Sequence, residues 1–281
     1  MEMVKTKLIV LLLASMPALA SAGDGVTGWK RTPMDASRTG VTVPGAAEAD
    51  KALGTVKGRK YTAPNGKIYK GGSAGKVASI LTSVQPAMAS VKEVIARSPE
   101  AMTKRYPESA LTNWFIDNLM EAVAKESGKK VDVGIGNFGG VRVDMPQGDV
   151  LVDDIRSMFP FKNDIVYVSL KGSDLRLILE NMAAGRFQIL GGVRVVAKDG
   201  KLVSAEVGGE PVDDEKIYGV ATISFLLNGG DRLYIARNAI EVVQYPVDIY
   251  EAMMGRILEN KDENGRPVIT GKTDGRVTII K

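Results

Sequence analysis

In "PESALTNWFIDNLMEAVAKES", Leu111, Phe115, Leu119 and Val123 recur every four residues behind Ser109. That spacing puts the apolar side chains on one face of an α-helix, with the serine placed to cap its start. "GSDLRLILENMAA" repeats the pattern through Leu175, Ile178, Leu179 and Met182, and "VDDIRSMF" and "VDIYEAMMGRILEN" read as two more helices. Short apolar or alternating runs at "VDVGIG", "NDIVYVSL", "KIYGVATISFLL", "AIEVVQY" and "GRVTII" predict strands. In "GVRVVAKDGKLVSAEV" two alternating runs meet at Lys198-Asp199-Gly200-Lys201, which predicts a hairpin. "KVASILTSVQPAMASVKEVIARS" opens with helix formers and ends in a strand candidate, "VKEVIARS". Helices and strands mix without a strict βαβ rhythm, so the expected fold is α+β: a mixed sheet with flanking helices.

The regular patterning starts at Lys76, so residues 76–281 read as one domain. Residues 23–75 are rich in Gly, Thr, Pro and Lys and show no sustained period, which predicts extended and turn structure. They are either a docking arm, with Trp29 and "TPMDASRTG" as its contact elements, or loops wrapped on the main domain. The first 22 residues differ: Lys5 and Lys7 precede "LIVLLLASMPALA", too short to span a bilayer comfortably, and "ASA" precedes Gly23. This is the pattern of a secretory signal peptide cut after Ala22, predicting a periplasmic or secreted protein with no membrane anchor.

Composition narrows the chemistry. With 281 residues and 44% hydrophobic content the chain can bury a sizeable core. Its 37 basic and 33 acidic residues look interspersed, so the net charge of +4 argues against a nucleic-acid polymer as partner. The sequence contains no histidine and no cysteine. That excludes Ser-His-Asp and Cys-His nucleophile systems, thiolate zinc sites, imidazole ligands and disulfides. No catalytic residue and no metal ligand is assigned in the chain. "DENG" at 262–265 is too short for a calcium-binding EF-hand loop and reads as a turn.

The most suggestive segment is "GIGNFGGVRVDMPQGDV", residues 134–150. It has neither the Gly-Lys-Ser/Thr ending of a phosphate-binding loop nor the glycine spacing of a dinucleotide fold. It does release Asn137, Gly139, Gly140 and Arg142 from a strand end, offering close backbone approach, an amide and a guanidinium fork. "FPFKND" places Phe161 after Pro160, and "ISFLLNGGD" places Phe225 ahead of Gly229-Gly230-Asp231. Each phenylalanine is either a core aromatic at a strand end or an exposed platform, and two platforms would sandwich a flat base. Asp231 either caps its turn or accepts hydrogen bonds from vicinal hydroxyls.

The ordered series "PESALTNWFIDNLM", "GNFGGVRVDMPQGDV", "FPFKND", "SLKGSDLRLILE", "ILGGVRVV" and "YGVATISFLLNGGD" resembles the C-terminal domain of the 5′-nucleotidase family over residues 76–281. The resemblance implies that Asn137 meets the base, Arg142 and Asp231 hold the ribose, and Phe161 and Phe225 sandwich the base. Three positions depart from the family pattern: Thr112 where a small residue is usual, Ala110 where some members carry a ribose-directed Arg, and Phe138 in place of a Gly. In the family a separate N-terminal domain carries two metal ions on Asp, Asn and His ligands, and a chain without histidine cannot build that centre. The expectation is therefore a secreted subunit of a split 5′-nucleotidase. It binds a nucleotide or nucleoside and carries no cofactor, the divalent metals belonging to a partner metallophosphatase chain. A stand-alone nucleoside-binding protein and an interaction module with a decayed pocket are the alternatives.

Overall fold

The structure is a computed structural model that describes residues 53–280. The expected signal peptide, Trp29 and "TPMDASRTG" lie outside the described residues. The chain divides into two compact units after Thr82.

In the first unit, β1 (Thr55–Lys57), β2 (Lys60–Thr62) and β3 (Ile68–Lys70) form an antiparallel meander in the order β1-β2-β3. Tyr61 and Tyr69, directly paired across β2 and β3, stack with ring centroids 5.7 Å apart. Helix α1 (Gly72–Val84) follows, starting four residues before the patterned region begins in the sequence.

The second unit opens with a 3₁₀ turn (Pro86–Lys92) and strand β4 (Val94–Ser98), at the end of the stretch read as a strand candidate. Helix α2 (Ala110–Ser127) is capped by Ser109, whose Oγ accepts from the Thr112 amide while Thr112 Oγ1 accepts from the Ser109 amide. The departure at Thr112 thus completes a reciprocal cap. Then come β5 (Val133–Gly136), β6 (Gly148–Leu151), α3 (Val152–Met158), β7 (Asp164–Lys171), α4 (Gly172–Ala184), β8 (Ile189–Gly191), β9 (Val193–Lys198), β10 (Lys201–Val207) and β11 (Glu210–Pro211). The chain ends through β12 (Ile217–Ile223), β13 (Glu241–Asp248), α5 (Ile249–Glu259) and β14 (Val277–Ile280).

These strands make a five-stranded sheet, β13-β7-β12-β5-β8, a four-stranded sheet, β11-β10-β9-β14, and the pair β4-β6. Both larger sheets are mixed, with β5 parallel to β12 and β14 parallel to β9. The α+β expectation holds. The Asp199-Gly200 hairpin forms as expected, both residues having positive φ (49° and 73°) and Lys198 pairing with Lys201. "DENG" is a turn in which Asp262 Oδ1 accepts from the Asn264 and Arg266 amides.

Helix α2 lies on β5, burying Leu111, Phe115, Ile116, Leu119 and Val123. The approach is close enough that a Cβ on Gly136 would come within 2.7 Å of the Phe115 ring. A polar clasp ties β14 to the same helix. Arg276, 8% exposed, donates two hydrogen bonds to the Asp117 carboxylate (2.7 and 2.8 Å) and two to the Asp274 carboxylate (2.9 and 3.2 Å). The Glu108 carboxylate accepts from the backbone amides of Asp274, Gly275 and Arg276 and from Asn113 Nδ2. Burial pushes the Glu108 carboxyl upward, but these hydrogen bonds outweigh it and hold its pKa below the usual carboxylate value.

Candidate ligand site

Strand direction brings the segments "GNFGGVR", "FPFKND" and "SFLLNGGD" to one end of the five-stranded sheet. β5 and β12 are parallel, so Gly136 and Ile223 both finish there; β7 is antiparallel to β12, so it begins there at Asp164. β8, antiparallel to β5, also starts at this end, pairing Ile189 with Gly136. Three loops therefore emerge side by side: 137–142 after β5, 159–163 before β7 and 224–232 after β12.

Side-chain contacts link the loops in a ring. Asn137, 5% exposed, donates through Nδ2 to Asp231 Oδ2 at 2.7 Å. Gly230, beside Asp231, lies against Phe225; a Cβ there would sit 2.1 Å from the Phe225 carbonyl oxygen and 2.8 Å from its ring. Next to Phe225, Ser224 Oγ accepts from the Asp164 amide at 3.1 Å, joining the third loop to the second. Phe161 closes the ring, with the Arg142 guanidinium 5.7 Å from its ring centre. The Arg142 amide donates to the Met158 carbonyl, and its Nη1 to the Gly139 carbonyl at 3.3 Å.

Phe161 and Phe225 are neither core aromatics nor capped by other rings: they are 45% and 46% exposed. Asp231 and Arg232 both take left-handed backbone angles (φ 48° and 64°), a strain of order 1 kcal/mol per non-glycine residue. That turn holds the Asp231 carboxylate over Asn137. Gly140 backs the amide, since a Cβ there would fall 2.6 Å from Asn137 Oδ1. That oxygen is buried and has no hydrogen-bond partner among the described residues.

Several contributors have no mark in the sequence. Lys104 Nζ donates to the carbonyl oxygens of Phe138 (2.9 Å) and Val141, bracing the glycine turn from behind. Burial, then the nearby Arg142 charge, lowers its pKa, with Asp144 opposing. Gln188 Oε1 accepts from the Phe138 amide at 3.1 Å. The Phe138 ring packs against Tyr106 at 5.7 Å, and the Arg186 guanidinium lies over both rings. Phe138 is thus a wedge between the loop and this cluster. Only the loop's own backbone geometry and distant residues define these contacts, which is why no local pattern announces them.

The arrangement offers exposed aromatic faces, a carboxylate acceptor and a guanidinium donor. It suits binding.

A family model described as "5′-nucleotidase, C-terminal domain" matches residues 87–237. Among curated proteins, Protein UshA of Salmonella pullorum is 36% identical over 105 residues, covering 36% of this chain and 19% of that protein. The NAD 5′-nucleotidase of Haemophilus influenzae is 32% identical over 145 residues, 44% of this chain and 23% of that one. Among solved structures, the 5′-nucleotidase precursor of Thermus thermophilus superposes with a TM-score of 0.64 and 26% identity over 74% of this chain and 44% of that one. The chain spans about a fifth of the length of these curated relatives and under half of the solved one. The family match covers more than half of the sequence and the fold agrees with the solved structure, and the chain belongs to the 5′-nucleotidase C-terminal domain family.

Proposed function

We propose that this domain holds the base and ribose of a nucleotide, and that a metallophosphatase on a separate chain hydrolyses the phosphate ester outside the cytoplasm. The observation that carries the reading is the Asn137–Asp231 hydrogen bond between two loops whose neighbours, Phe161 and Phe225, expose their rings. Each ring offers a stacking face worth about 1 to 3 kcal/mol to a base. The free oxygen of Asp231 accepts ribose hydroxyls, and the remaining guanidinium donors of Arg142 assist it. Asn137, its Nδ2 held by Asp231, is the residue the family resemblance sets against the base.

The division of labour rests on the sequence. The 281 residues contain no histidine, while the family's hydrolytic centre depends on imidazole ligands to two metals. Such metals activate the attacking water and clamp the phosphoryl oxygens; a domain without them contributes position. Export rests on the Lys5/Lys7 start, the apolar run and the "ASA" before Gly23.

The test is phosphate release from AMP by a metallophosphatase recovered with this protein as bait. Added wild-type protein is expected to raise turnover and the Phe225→Ala variant to leave it at the basal rate. Equal stimulation by the two proteins refutes the role.

A further inference from the structure

The interspersed charge expected from the whole sequence fails over one segment. Between residues 53 and 82 there are six cations, Lys57, Arg59, Lys60, Lys67, Lys70 and Lys76, and no Asp or Glu. With a net charge of +4 for the whole chain, the remainder is net negative. All six side chains are exposed, and among the described residues none forms an ion pair.

The β1-β2-β3 register arranges these charges. Lys57 pairs with Lys60 and Lys60 with Lys70, so three lysines stand in one row across three strands. Strands lie about 4.8 Å apart, and like charges directly opposite one another destabilise a sheet. The next row on the same face is Thr55, Thr62 and Ile68, the isoleucine 49% exposed. The Val56, Tyr61 and Tyr69 row points to the other face, where all three are half-buried. One face of a small sheet therefore carries an uncompensated cationic row beside an exposed aliphatic side chain.

We propose that this face adsorbs to an anionic lipid surface. A surface of one sign suits a patch with no acid to offer; a protein interface usually mixes charges. Single-stranded nucleic acid would call for exposed rings, and the two tyrosines lie on the opposite face, stacked on each other. Ile68 adds an apolar contact at headgroup depth. This is peripheral contact rather than an anchor: among the described residues no helix is long and apolar enough to cross a membrane. The inference is independent of the nucleotide reading.

The test is co-sedimentation of the full chain with two sets of vesicles, phosphatidylcholine alone and equal parts phosphatidylcholine and phosphatidylglycerol. The readout is the ratio of the two partition coefficients, which cancels any apolar binding by residues 1–22. Each lysine near an anionic surface contributes about 1 kcal/mol, so Lys57→Gln/Lys60→Gln/Lys70→Gln is expected to lower the ratio about a hundred-fold. In about 1 M salt, where the Debye length falls to about 3 Å, the wild-type ratio is expected to approach one. Because the substitutions relieve like-charge repulsion, the thermal transition of the variant should hold or rise while adsorption falls, separating loss of the face from loss of fold. A wild-type ratio near one, an unchanged ratio in the triple variant, or capture of DNA in preference to vesicles would overturn the proposal.

Discussion

Asn137 Nδ2 donates a hydrogen bond to Asp231 Oδ2 across 2.7 Å, joining residues 94 positions apart and locking two loops of the sheet end together. Asn137 is buried and Asp231 exposed, so the cost of losing this bond falls mainly on loop geometry. Replacing Asn137 with Ala is expected to lower stability by only about 1 kcal/mol, since the freed carboxylate rehydrates. Adenosine affinity should fall at least tenfold; calorimetry of folding and of binding on the same variant separates the two.

Gly140 tests the same joint sterically. A methyl group there would meet Asn137 Oδ1 at 2.6 Å and displace the amide from Asp231. Gly140→Ala is therefore expected to match Asn137→Ala in lost adenosine affinity. Wild-type affinity in Gly140→Ala would show that the amide's position is immaterial.

Lys104 reaches the Phe138 and Val141 carbonyls, so the glycine turn depends on a side chain from outside its own segment. Lys104→Met should destabilise the protein by about 1 to 3 kcal/mol by leaving those carbonyls without their charged donor. Amide hydrogen exchange at residues 138–141 should accelerate more than exchange in β7. Uniform acceleration across both would mean that Lys104 supports the fold as a whole and not the turn.

The motifs were legible where their physics is local. The helix from Ala110 follows from apolar spacing and a serine cap, and the Asp199-Gly200 hairpin from a two-residue turn that needs positive φ. The pairing of β5 with β12 was not legible, because it joins segments more than eighty residues apart through backbone groups alone. β8 and β11 leave no mark in the sequence, because strands of three and two residues are too short to show an alternation. The same shortness hid the meander of β1 to β3, and with it the lysine row. At the site, the side chains with distinctive chemistry stood out, but Lys104 and Gln188 act on backbone groups and carry no signature.

The Glu108 clasp gives a pH dependence. Its folded pKa lies below the ordinary 4.5, so the clasp stabilises the protein above that value and the contribution fades as pH falls through the folded value. Glu108→Gln should be less stable than wild type at neutral pH, with the gap closing below about pH 4. Thermal melts of both proteins across that range check the sign, and a gap that widens in acid would contradict it.

The most direct measurement is a calorimetric titration of the protein with adenosine and with AMP, alongside Phe225→Ala. Wild type is expected to bind both ligands, and loss of one stacked face should weaken each by about 1 to 3 kcal/mol, roughly five- to hundred-fold. Binding of equal strength in wild type and variant, or no heat from wild type with either ligand, would contradict a nucleoside site between Phe161 and Phe225.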